Sequence, residues 1–173
     1  MEETTTNPPS VLSTGVKFGL IIAAVSIAWF IIQVVIGINP FVRDWKGWLS
    51  MAVSIAIVVF AHKSFKDSGD GYMSYGQGLG IAFIAIMVSV LLGSIFSYIY
   101  INFIDQTVMD EVWEKALEEA QSKGQNEEAA QMGIEWGKKL FWVFYLVGGA
   151  FVALIIGLLV PIFTQKKNPE PFV

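Results

Sequence analysis

The chain has no cysteine and a single histidine in 173 residues. The first absence removes disulfides, thiolate metal sites and thiol catalysis together. The second leaves at most one imidazole for a transition-metal set. Charge is scarce too: 15% of residues are Asp, Glu, Lys or Arg, against 54% hydrophobic, and mean hydropathy is +0.59. A soluble domain of this length needs more polar surface to cover its core. The composition therefore points to a membrane protein, and the length suits one domain. Net charge is −4 with a pI near 4.9. That balance says little about the apolar part, because the acids gather in "DEVWEKALEEAQSKGQNEEAAQMGIEWGKK", Asp110 to Lys139.

Reactive motifs are missing as well. No nucleophile–base pairing, phosphate loop or HExxH pattern is present. "GDGYMSYGQGLG" is Gly-rich but lacks the P-loop lysine and a preceding strand, so it reads as a reverse loop and helix start. Glu111, Glu114 and Glu118 recur at i, i+3, i+7, which reads as a solvated acidic face rather than a metal site. His62 falls at the end of an apolar stretch and reads as an interfacial residue. No catalytic residue, metal or cofactor is expected, and no nucleic-acid partner.

What is present is four apolar stretches, each long enough to cross a bilayer, which takes about 20 residues. They run about 11–38, 45–61, 79–104 and 140–163. Lys17 and Lys46 sit near the starts of the first two, where they can snorkel. The third is long enough to require tilt, and Pro161 with "KK" closes the fourth. "MEETTTNPPS" is acidic and Pro-bearing, unlike the basic start of a signal peptide, so a retained first helix behind a disordered tail, 1–10, is expected. Four spans place both termini on one side.

The charged segment, 105–139 with its flanks, reads as a helical hairpin. Met109, Val112, Trp113, Ala116, Leu117 and Ala120 share one helical face. Gly124 suits a C′ position and Asn126 the next N-cap. Ala129, Met132 or Gly133, Trp136 and Leu140 are expected on one side of the second helix. Asp105 and Thr107 could cap a new helix, yet no Gly or Pro intervenes. A continuous helix from Leu79 to Ser122, about 65 Å long, is therefore expected, with the hairpin standing off the membrane as a stalk. An interfacial helix lying flat is the alternative, although such helices are usually basic. Trp113, Leu117 and Trp136 are the candidate partner face.

Small residues recur every four positions on three spans: Gly15, Gly19 and Ala23; Ser89, Gly93 and Ser97; Gly149, Ala153 and Gly157. Such stripes let backbones approach closely in lipid, and these are the candidate helix-packing residues. They would serve packing within the chain, or contact with a second copy or another membrane protein. Trp45, Trp48, Tyr98, Tyr100, Trp136 and Trp142 are placed at the hairpin-side interface, Tyr72 and Tyr75 at the other, as aromatic belts. The span middles contain no ionisable residue, only Gln33, Ser26, Ser54, Ser89 and Ser94, which argues against an ion pump.

The order "AHKSFKDSGDGYMSYGQGLGIAF", "SIFSYIYINFIDQTVMDE", an acidic hairpin and a last span resembles a four-helix membrane family, domain-of-unknown-function family 4199, known from Bacteroidota. "YGQG" and "YIYINFID" carry most of the likeness, which covers about 17–167. The resemblance implies an inner-membrane location and brings no activity, ligand or catalytic residue. Lys17, Lys63, Lys66, Lys166 and Lys167 lie on the terminal side, Arg43 and Lys46 with the hairpin lysines on the other. Discounting the long hairpin leaves five against two, so the termini are expected inside and the hairpin outside. The expected role is a non-enzymatic accessory or scaffold protein meeting its partner through the hairpin. A small transporter or lipid-binding protein with a cavity between the spans is the alternative.

Overall fold

A computed structural model describes residues 10–42 and 45–168, the side chains of Trp45 and Lys46 apart. The disordered-tail expectation for 1–10 lies outside these residues except for Ser10, and so do the interface calls on Arg43, Trp45 and Lys46. The described chain is all-helical: α1 Val11–Val35, α2 Trp45–Ser68, α3 Tyr75–Ile99, α4 Val108–Ser122 and α5 Glu127–Thr164. Four of these, all but α4, are long and apolar enough to cross a membrane.

Each helix starts and stops for local reasons. Ser10 caps α1 by accepting from the Ser13 amide at 3.0 Å. At its other end Gly37 takes φ +75°, a backbone conformation glycine adopts without a Cβ penalty. Ser74 and Gln77 form a reciprocal capping box. This starts α3 at Tyr75, four residues before the apolar run begins at Leu79. Gly124 at φ +75° ends α4, and Asn126 caps α5 through the Glu128 amide at 3.0 Å.

The apolar run 45–61 lies within a longer helix, and one expectation about continuity is corrected. α2 runs on through "HKSFKDS" to Ser68, because its polar residues find partners on α3 and α5. The single helix from Leu79 to Ser122 does not form. After Ile99 the backbone widens into a π turn, Tyr100–Ile104, closed by the Asp105 amide on the Tyr100 carbonyl at 3.0 Å. The Asn102 amide donates to the Tyr98 carbonyl and Gln106 to the Asn102 carbonyl, so both hold carbonyls that a regular helix would occupy. Asp105 then accepts from the Thr107 amide and hydroxyl at 3.0 and 2.7 Å, and the chain turns. The second arm behaves as expected of a continuous helix: α5 is unbroken over 38 residues, about 57 Å. It continues three residues past Pro161.

α3 is the central helix, with α1 and α5 packed along it and α2 more lightly attached. A Cβ at Gly15 would lie 2.7 Å from Ile84, and one at Gly19 would lie 2.8 Å from the Ala85 carbonyl oxygen. These glycines therefore let α1 lie directly on α3. A Cβ at Gly149 would meet Val90 of α3 at 2.7 Å, and Ala153 is fully buried in the core of Ile22, Val58, Ala82, Ala85, Ile86 and Ile156. Large apolar side chains such as Phe151, Phe163 and Val35 point outward. So extensive an apolar exterior fits lipid, not water.

Candidate functional sites at the two ends of the bundle

At the terminal end, the last turns of α2 pack against both the start of α3 and the end of α5, and His62 is completely buried there. Its Nε2 lies 2.9 Å from the Gly78 carbonyl oxygen and its Nδ1 lies 2.7 Å from Thr164 Oγ1. A carbonyl only accepts, so Nε2 carries a proton here. One turn on, Lys66 Nζ donates to the Thr164 carbonyl at 2.8 Å, capping the C-terminus of α5 where the helix dipole favours a cation. Tyr75 donates to the Leu158 carbonyl at 2.9 Å, and Met73 and Lys166 exchange two backbone hydrogen bonds of 2.9 Å. These groups stitch three helices together. Beside them opens a recess of about 670 Å³ lined by Tyr72, Ser74, Gln77, Lys166 and Lys167 over Phe65 and Met73. Asp70 also lines it.

The hairpin end is held differently. Phe30 makes edge contacts with Phe41, Phe96 and Tyr100 at centroid distances of 5.4, 5.2 and 5.0 Å. Phe141 links this group to Trp113, Trp142 and Tyr145. Val108 and Met109, the first residues of α4, are buried in the same cluster. Asn39, in the α1–α2 loop, donates to the Val108 carbonyl at 2.7 Å and to Glu111 at 3.0 Å, while its own oxygen accepts from the Phe41 amide. α4 is thereby anchored at its base. Asp105 has its carboxyl held below the usual range by the hydroxyl and then the amide of Thr107. Glu111 is shifted the same way by Lys115 and then Asn39.

α4 and the first turns of α5 lie side by side. Trp113 covers Gly137, where an added Cβ would come within 3.2 Å, and Ala130 is buried. The contact face of α5 is therefore Ala130, Ile134, Gly137 and Phe141. The expected face through Ala129, Met132 and Trp136 is rotated away from α4 by one residue, about 100°. Met132 and Trp136 are exposed, and Lys139 rides on the Trp136 ring at 5.5 Å. So Trp113 and Leu117 line a cleft of about 450 Å³ between the two helices, rimmed by Asp110, Glu114, Glu135 and Lys138, whereas Trp136 points elsewhere. Among the described residues no three His, Asp or Glu side chains converge as a metal set would.

The small-residue positions fall unequally. Gly15, Gly19 and Ala23 of α1 are buried, the two glycines against α3, and Gly149, Ala153 and Gly157 of α5 line its α3-facing side. Ser89 is buried, and Ser97 is buried and bonded to Tyr145 of α5. Gly93 is roomier: a Cβ there would meet only the Tyr145 hydroxyl, at 3.7 Å. Sequence reasoning missed Ala82 and Ala85, fully buried on α3. It also placed His62 at the interface, because a lone histidine carries no periodic signal.

Fold and sites together define a multi-span helical membrane protein, four long apolar helices with a helical pair between the third and fourth. The chain belongs to the family described as protein of unknown function (DUF4199), whose model matches residues 17–161. No curated protein and no solved structure matches it.

Proposed function

We propose that this protein is a non-enzymatic scaffold or accessory protein of the bacterial cytoplasmic membrane, with both termini in the cytoplasm and the helical hairpin in the periplasm. The observation that carries the reading is mechanical. α5 runs without a break from the hairpin to the far end of the bundle, and α4 is clamped at its base by Asn39 and the aromatic cluster. A hairpin so held moves with the membrane helices rather than as a tethered tail. Its cleft offers an apolar floor, Trp113, Leu117 and Ile134, inside a rim with three carboxylates and one lysine. A helical segment of a membrane-protein partner, apolar on one side and basic at its edges, complements that rim.

The test is a mild-detergent pull-down with mass spectrometry of proteins and lipids, comparing the parent with Glu114→Lys/Glu135→Lys. Loss of a stoichiometric protein partner in the variant, at unchanged thermal stability, supports the reading. An identical partner set sinks it. Orientation is checked separately, since the absence of native cysteine leaves no background. In intact cells, with any outer membrane permeabilised, Gln125→Cys should react with an impermeant maleimide. Ser68→Cys should react only after lysis.

The alternative, a small transporter or lipid-binding protein, draws on a second feature. Between α1 and α2 a groove of about 220 Å³, lined by Trp29, Ser26, Val53 and Ser54, opens between the two spans. A tightly retained lipid without a protein partner in the same pull-down would favour it.

A further inference from the structure

We propose that the recess at the terminal end of the bundle binds the phosphodiester of an anionic phospholipid headgroup. This does not depend on the hairpin reading, because it concerns the opposite end of the molecule. The recess lies where α2 ends, α3 begins and α5 ends, so it opens at the headgroup level of that leaflet. Lys166 and Lys167 stand at its edge. The paired hydrogen bonds between Met73 and Lys166 fix the backbone there, so both lysines extend from an anchored stretch of chain that lines the opening. Lys166 packs over the Tyr72 ring at 5.3 Å, and neither lysine makes an ion pair among the described residues.

Other lining groups narrow the ligand. Asp70 is the one carboxylate in the lining, and its Oδ1 accepts from the Tyr72 amide at 2.9 Å. Two cations against one anion fit a single phosphodiester better than a headgroup carrying several phosphates. Phe65 and Met73 floor the recess, and the last turns of α5, which lead to its lining residues Gln165 and Lys166, expose Leu159, Ile162 and Phe163 as apolar surface for acyl chains. Basic pockets between membrane helices are known recognition sites for anionic headgroups, each lysine contributing about 1 kcal/mol. The cleft between α4 and α5 carries three carboxylates and one lysine, so the two openings differ in charge.

Native mass spectrometry of the full chain in detergent tests this, titrating phosphatidylglycerol and phosphatidylcholine with matched acyl chains. Phosphatidylcholine carries the same phosphodiester with a cation attached. Phosphatidylglycerol should bind at least tenfold more tightly. Lys166→Gln/Lys167→Gln should lower its affinity about thirtyfold, the lysine contribution converted at about 1.4 kcal/mol per tenfold. Both side chains are exposed and the backbone bonds survive, so the variant should fold, which its melting curve verifies. Lys138→Gln/Lys139→Gln makes the same charge change at the other end and should leave binding unchanged. Equal binding of the two lipids, full binding by Lys166→Gln/Lys167→Gln, or an equal loss in the control would overturn the proposal. A last arm separates sources: displacement of phosphatidylglycerol by millimolar inorganic phosphate would reassign the site to a soluble phosphoryl ligand.

Discussion

The two ends of this bundle are fastened by different physics. At the terminal end three helices are joined by directional bonds from His62, Lys66, Tyr75 and the Met73–Lys166 pair. At the hairpin end α1, α3, α4 and α5 meet through a chain of aromatic rings in edge contact. Between them the helices touch through glycine and alanine. Lipid supplies no hydrophobic force between helices, so close packing and hydrogen bonds must do what burial does in water. A hydrogen bond fixes one register, whereas stacked rings give area and tolerate small shifts. The polar end sets the alignment of α2, α3 and α5, and the aromatic end seats the hairpin.

The largest effect should come from neither end. Gly19→Val places a branched Cβ on the Ala85 carbonyl, a backbone atom that cannot step aside. We expect a loss of about 3 kcal/mol or more by the overpacking route, read as detergent thermal unfolding by tryptophan fluorescence. Gly93→Ala, with only the Tyr145 hydroxyl nearby, should cost far less. Equal losses would mean that the α1–α3 contact is not the tight one.

Next is the aromatic end. Phe30→Ala removes three ring contacts at once and opens a cavity, for about 3 kcal/mol. It should raise hydrogen exchange through the base of α4 while sparing residues 158–168. His62→Leu should do the reverse, at about 2 kcal/mol for two lost hydrogen bonds in a buried site. If both variants loosen the same peptides, the two ends are not separate fastenings.

The smallest effect is a pH response at the first hairpin joint. The folded Asp105 carboxyl is held below its ordinary value by the Thr107 hydroxyl and amide. A depressed folded pKa gives stability that is present above the ordinary value and lost as pH falls through the folded one. Amide exchange at residues 105–109 should therefore quicken only below about pH 4. Asp105→Asn should flatten that dependence; an unaltered profile would shift the response to Glu111 or Glu119, each paired with a lysine one turn away.

Much of this architecture follows from local pattern. Four apolar runs of bilayer length, charged only by Lys17 and Lys46 near two of their starts, define spans because backbone polar groups in lipid must be satisfied within a helix. Gly124 and Asn126 mark the hairpin turn because a left-handed backbone and an N-cap each need a particular side chain. Tertiary contacts decided the rest. Nothing periodic announces that His62 is buried, since its partners lie 16 and 102 residues away on α3 and α5. The contact face of α5 in the hairpin turned by one residue because Trp113 needs the missing side chain of Gly137 beneath it. The expected continuous third helix broke at Asp105, where the carboxylate captures Thr107 and Asn39 captures the start of α4. The sequence by itself determined which segments are helices and that four of them suit a membrane, because those properties depend on neighbours within a turn or two. Which faces meet, which polar groups are buried and where the lysines stand over a recess were decided only by the tertiary structure, because they depend on residues brought together from distant helices.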